Sequence, residues 1–349
     1  PLVERRVGEK SFSNLVNYDH FADFTFKRRK KYKPAYFNKA DIKVPYEIAR
    51  LQFFQKILLY MENENIELEE ASRALSKLYE IIRYIDFTEK PKLLLFNSPM
   101  EVAIRNINLL FYYRSGSAVY SKFSKSDTSP DIFKKVMVQI VRNLDYLERN
   151  LENKGNVVGN HYLIQLSSIL LTFSELEPIG PLKRDFDYYL SELKLELKKQ
   201  FYQDGTNFEG STHYSAFVIE ALIVCKFAIE EVYPGEEILE EIKTIIKANR
   251  TLLSKLIIKG ELSQIGDNDS GRLFYTLFNE DKPLQMSWLI DLIDYIYEGS
   301  TKDNNIKDQF ITEIKKDTPQ LNDYKKVLHK PIKIFSRDYE FSCFDDFGI

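Results

Sequence analysis

From Pro45 to about Ile311 one helical pattern follows another, with apolar residues returning at a period near 3.6 between short breaks; the run confines the chain to packed helices. The stretch after Pro181 shows the rule. Leu182, Phe186, Tyr189, Leu190, Leu193, Leu197 and Phe201 form one stripe, while Lys183, Arg184, Asp187, Lys194 and Lys198 face away. Similar stripes predict helices over 45–62, 67–85, 98–114, 130–152, 158–174, 212–232, 236–257, 284–298 and 303–316. Between them stand Pro99, Ser129-Pro130, Gly180-Pro181 and Pro234-Gly235, which stop or start helices. The expected class is therefore all-α, as a bundle, a solenoid or a toroid of antiparallel helical hairpins, and the lack of a fixed-period repeat argues against regular solenoids.

Beyond Pro331 the period changes to two. Ile332-Lys333-Ile334-Phe335 and Tyr339 to Phe344 read as strands, a short β segment that opens a β domain continuing beyond Ile349. The expected organisation is an N-terminal extension over 1–40, a helical domain over 41–325, and the start of a truncated β-sandwich over 326–349.

Bulk properties exclude several classes. A net charge of −3 gives no global attraction to nucleic acid, and the basic run Lys27, Arg28, Arg29, Lys30, Lys31 and Lys33 reads as a solvated segment with some capacity for a polyanion such as an acidic glycan. Aromatic residues make up 14% of the chain, which suits wide gaps between helices or stacking on sugar rings. Cys225 and Cys343 have neither metal nor disulfide-framework spacing. No apolar stretch has the length of a membrane span, and residues 1–10 hold no signal-peptide core. Because the chain begins with proline, a piece upstream is expected; if it held a signal peptide the protein is periplasmic or secreted, and otherwise cytoplasmic. Nucleotide-binding glycine loops, HExxH, CxxC and GxSxG are absent from the sequence, so nucleotide cofactors, zinc-peptidase chemistry and serine hydrolysis are not expected.

Candidate chemistry concentrates in a few places. Asn160-His161 opens the predicted 158–174 helix, where free backbone N–H groups and the helix dipole welcome a carboxylate. Asp204-Gly205-Thr206-Asn207 is a turn in which Gly205 supplies a positive φ, and Ser211 is placed to cap the next helix. His213 and Tyr214 follow in its first turn. Read alone, His161 is as much a structural residue as a functional one, and Tyr214 reads more readily as a buried aromatic than as a base. Glu101, Arg105 and Asn108 share a helix face, as do Glu47 and Arg50. The stretch 266–272 lacks a calcium loop's glycine and terminal acid in register, so it reads as a turn in which Asp267 or Asp269 caps the next helix and pairs with Arg272 or another arginine.

Taken in order, the stretches 41–50, 97–108, Gly159-Asn160-His161-Tyr162-Leu163 and Gln203-Asp204-Gly205 through Tyr214, with the turn 266–272 and the closing 344–349, resemble the heparinase II/III-like polysaccharide lyases. Each motif is weak alone, and their order is specific. The resemblance implies an α/α toroid followed by a β-sandwich, with a glycan cleft between them. It also implies β-elimination on an acidic, uronate-containing glycan of the glycosaminoglycan or alginate kind. There Asn160 and His161 neutralise the uronate carboxylate, and Tyr214 protonates the leaving oxygen and in some members takes the C5 proton. Glu101, Arg105, Gln203, Asp204, His213 and Arg272 are the candidates for sugar binding or for bracing the wall. Where family members often carry an acid four positions after the histidine, this chain has Gln165. No cofactor or metal is expected in this chain itself; the β-sandwich supplies a further histidine and in some members a metal, so the chain is expected to be inactive without it. Two alternatives remain open: a non-catalytic glycan-binding toroid, and a glycoside hydrolase using Asp204 and Glu209 as its carboxylate pair.

Overall fold

A computed structural model describes residues 18–19, 24–25, 41–63, 67–84, 98–123, 131–155, 157–176, 181–268, 271–274 and 284–299. The described helices are α1 (Lys43–Ala49), α2 (Phe53–Asn63), α3 (Leu68–Tyr84), α4 (Pro99–Phe123), α5 (Asp131–Arg149), α6 (Asn160–Glu175), α7 (Pro181–Gln200), α8 (Thr212–Val232), α9 (Ile238–Leu256) and α10 (Ser287–Glu298). Two antiparallel pairs accompany them: β1 (Tyr18–Asp19) with β2 (Phe24–Thr25), and β3 (Ile257–Ile258) with β4 (Glu261–Leu262). The chain is all-α in class. The expected helix at 303–316, the basic run at 27–33, the strands after Pro331 and Asp269 lie outside the described residues.

The helices pack in two layers. Successive inner helices α2, α4, α6 and α8 touch in turn, and α3, α5, α7 and α9 pack on their outer side. Sequence character matches position: every residue of α6 except His161 is buried, and α8 is buried from Thr212 through Ile229 at most positions. Outer helices instead bury one stripe, as Ile238, Ile242, Ile245, Ile246, Asn249 and Leu253 do on α9.

Polar contacts fix the directions. Glu101 lies close enough to His161 to act on its charge, Asn106 donates to Ser168 and Thr172 at 3.3 and 2.9 Å, and Arg114 pairs with Glu175. Those pairs advance together along both helices, so α4 and α6 run parallel. Helix α7 runs back along the outer side of α6: Gln200 reaches the Gly159 carbonyl, Glu192 accepts from Tyr162, and Tyr189 stacks on Phe173. Asn143 of α5 closes the polar bolt by donating to Asn106 at 3.2 Å. A buried amide of this kind is costly unless paired, so the network fixes the register of three helices.

Several boundaries differ from the sequence reading. The single helix expected over 45–62 is broken at Leu51, whose φ of 61° puts it in the left-handed region while its side chain is fully buried. Helix α4 runs on to Phe123 rather than stopping at 114, and within it Gly116 is a contact point: a Cβ there would come 3.0 Å from the Phe133 ring. The helix expected over 236–257 ends at Leu256, where β3 begins.

Candidate functional site

Because α4 and α6 run parallel, and because the loop leading into α8 lies against the start of α6, the N-termini of three inner helices meet at one end of the molecule. Asn160 and His161 are the first two residues of α6. Its N-cap, Gly159, offers no side chain to the free N–H groups. The acceptor comes from Glu209 instead: its carboxylate takes the Asn160 backbone N–H at 2.6 Å and the Asn160 Nδ2 at 2.9 and 3.1 Å. Gly159 has an extended backbone that any residue adopts, so its role is spatial; a Cβ there would sit 2.7 Å from Glu209 Oε1. The place where a carboxylate is welcome at this helix end is thus filled from within the chain.

His161 stands next to Asn160 and remains exposed. Its Nδ1 lies 3.2 Å from Glu152 Oε1, on the loop after α5. The hydrogen bond to Glu152 raises the imidazole pKa, and the negative charges of Glu152, Glu209 and Glu101 act in the same direction against burial. Gln165, one turn further into α6, donates to the other oxygen of Glu152 and accepts from the Glu152 backbone N–H at 3.0 Å.

Tyr214 occupies the first turn of α8, and the predicted cap holds: its N–H donates to Ser211 Oγ at 3.1 Å. Ser211 Oγ in turn donates to the Asp267 carbonyl at 2.5 Å, so residues 263–268 lie across this helix start. Thr212 secures the same segment, its N–H bonding the Ile265 carbonyl at 3.0 Å. Gly266 fits there because it has no side chain: a Cβ would meet Ser211 at 2.9 Å. His213 contacts Gln264, and burial, then the charge of Arg272, push its pKa down. The two histidines of the site are therefore biased oppositely, His161 toward the cation and His213 toward the neutral ring.

Arg272 is held by its neighbours' backbone. Glu220, fully buried in α8, accepts the N–H groups of Leu273 and Phe274 at 2.6 and 2.8 Å, and Gln52 donates to the Arg272 carbonyl. Burial pushes the Glu220 carboxyl up to about 7, with the two N–H donors opposing it. Glu101 does not pair along its own helix. Arg50 grips it in a buried bidentate contact at 2.7 Å for each bond, made possible by the break at Leu51. Arg105 is fully buried beside Glu101, Tyr146 and Tyr46 and donates to the Ala49 carbonyl at 3.4 Å; burial lowers its pKa to about 10.

Gln203 and Asp204 belong to a turn with its own structural task. Gly205 has φ +82° and presses against Ala248 of α9, and Asn249 donates to the Gly205 carbonyl. Asp204 accepts from Thr206 N–H and Oγ1 at 2.9 and 2.7 Å on an exposed surface. The two carboxylates of the hydrolase alternative hence serve different partners, Asp204 its own turn and Glu209 the start of α6. Asn108 faces α2, accepting from Gln55 at 2.5 Å. Sequence reasoning missed Glu152 and Glu220, which sit in no motif, and assigned Glu209 only to the hydrolase reading. Among the described residues no group of three His, Cys, Asp or Glu side chains is placed to hold a metal ion, and no helix is long and apolar enough to cross a membrane.

A family model described as Heparinase II/III N-terminus matches residues 5–248, a span that includes Asn160, His161, Glu209 and Tyr214 and starts ahead of the motifs that begin at Asp41. No curated protein and no solved structure matches the chain.

Proposed function

The chain belongs to the heparinase II/III family, which is related to polysaccharide lyases, and from that premise we propose that it binds an acidic, uronate-containing glycan for cleavage by β-elimination. The observation that carries the reading is the meeting of helix starts, which sets the Asn160-His161 pair beside the loop that delivers Tyr214. In this reading the two-layered helices are part of an α/α toroid, and the cleft lies over the N-terminal ends of α4, α6 and α8.

The C5 proton of a uronate is weakly acidic, and removing it places charge on the adjacent carboxylate. His161 donates to and neutralises that carboxylate, and Asn160 joins it by turning its Nδ2 from Glu209 to the uronate. Tyr214 takes the C5 proton, the C5–H electron pair forms the C4–C5 double bond, and the C4–O bond breaks. The departing oxygen receives a proton from the same phenol. A tyrosine has an ordinary pKa of about 10, so it needs cationic neighbours to act as a base; Arg272, anchored by Glu220, is the charged group brought to this helix start. Arg105 and the Arg50–Glu101 pair brace the wall beneath. In this reading a histidine from the β-sandwich that the resemblance implies completes the site, and the helical domain contributes glycan binding.

Incubation with uronate polymers and detection of new 4,5-unsaturated ends by ultraviolet absorbance tests the reading, alongside binding of uronate oligosaccharides. Unsaturated ends, or binding that is lost in His161→Ala, support it. Neither binding nor unsaturated ends with any uronate polymer overturns it.

A further inference from the structure

We infer that Glu152 is a positioning residue for His161, fixing its ring by accepting the Nδ1–H and holding it as an imidazolium whose Nε2–H is left to donate. The argument starts from the tautomer. With Nδ1 only 3.2 Å from Glu152 Oε1, the ring donates there. A neutral ring protonated at Nδ1 has a bare Nε2, which repels a carboxylate. Only the doubly protonated ring donates on both sides, so an anion can be held by Nε2 only while His161 is charged.

Glu152 is built to stay in place. Gln165 is fully buried and grips it twice, donating to the second carboxylate oxygen and accepting from its N–H at 3.0 Å. A carboxylate at 165 would accept from the N–H but could not donate to Glu152, whereas the amide does both, so the residue type at 165 fits the task. The other charged groups acting on the ring are Glu209 from the α8 loop and Glu101 from α4, both negative, and Glu101 is already neutralised by Arg50. Glu209 is committed to Asn160. That leaves Glu152 as the nearest carboxylate, in hydrogen-bond contact, and it sets the charge of His161. The lyase reading enters only in naming a uronate as the anion that Nε2 meets.

Histidine NMR titration of the 349-residue chain tests this, with His161→Gln identifying which of the four imidazole signals belongs to it. The Glu152 side chain is one-third exposed in a loop, so Glu152→Gln keeps the fold, and far-UV circular dichroism checks it. The expected result is a fall of about one unit or more in the His161 pKa in Glu152→Gln, the size set by loss of a contacting opposite charge, with Glu152→Asp lying between. Binding of an unsulfated uronate tetrasaccharide should lose its alkaline limb at a correspondingly lower pH. A His161 pKa unchanged by Glu152→Gln overturns the inference, whatever the glycan does. A pKa that falls as expected while neither the tetrasaccharide nor any uronate polymer binds or is cleaved at any pH leaves the Glu152–His161 pair standing and defeats the lyase reading instead.

Discussion

Helix α8 begins on its own serine, Ser211, which caps Tyr214 from three residues away; helix α6 begins on a glycine and takes its acceptor from Glu209, 49 residues downstream. The first arrangement forms as soon as the local chain turns. The second exists only once the α8 loop has docked, so α6's end is assembled by tertiary structure. That difference suits their tasks. A helix end sealed from outside holds Asn160 in one orientation and ties it to the loop that carries Tyr214, so both halves of the candidate site are set by one contact.

The comparison breaks most strongly at Glu209. Hydrogen bonds to a charged acceptor contribute about 1.5–3 kcal/mol each, so Glu209→Ala should destabilise by about 3 kcal/mol in chemical denaturation. Gly159→Ala should lose most of the same stability, since its Cβ takes the space of Glu209 Oε1. In the double variant the two losses should not add, because both remove one contact. Full additivity would mean that Glu209 does not cap α6.

A second acid, Glu220 on α8, sharpens the picture through pH. Glu220 has its pKa raised to about 7, so its contribution to stability is fully present below the ordinary carboxyl range and is lost as pH rises through about 7. Stability of the native chain should therefore decline from pH 5 to pH 8, and Glu220→Gln should flatten that decline while keeping an acceptor for Leu273 and Phe274. An unchanged pH slope in Glu220→Gln, measured by thermal melts across that range, would contradict the assignment. Ser211→Ala, which removes a local cap, should cost only about 1 kcal/mol in the same denaturation assay. Asp204→Asn should cost least, within about 0.5 kcal/mol, because the turn is exposed and Gly205 carries its conformation; a loss of several times that would give Asp204 a role beyond its turn.

Legibility in the sequence follows the same division. Ser211 as a cap and Gly205 at positive φ were readable because their causes lie within three residues of them. The stripes of α7 and α9 were readable from period alone. Glu152 and Glu220 were not, since their partners are fixed by packing between distant segments. Asn160 and His161 could be singled out, but their surroundings could not: an open anion site was expected, and the structure gives one residue to a glutamate and leaves the other facing solvent. The helix expected over 98–114 runs on through Gly116, which is a helical contact with Phe133. A missing side chain has two causes, conformation and space, and sequence does not separate them.

The central claim is that Asn160, His161 and Tyr214 form one elimination site, and the product end of a uronate polymer tests it most directly. Using the chain joined to the β-sandwich that the resemblance implies, the account predicts 4,5-unsaturated ends from wild type and their loss by at least about 100-fold in both His161→Ala and Tyr214→Phe with the fold retained. Saturated ends, as a hydrolase leaves, or unsaturated ends undiminished in either variant, would contradict it.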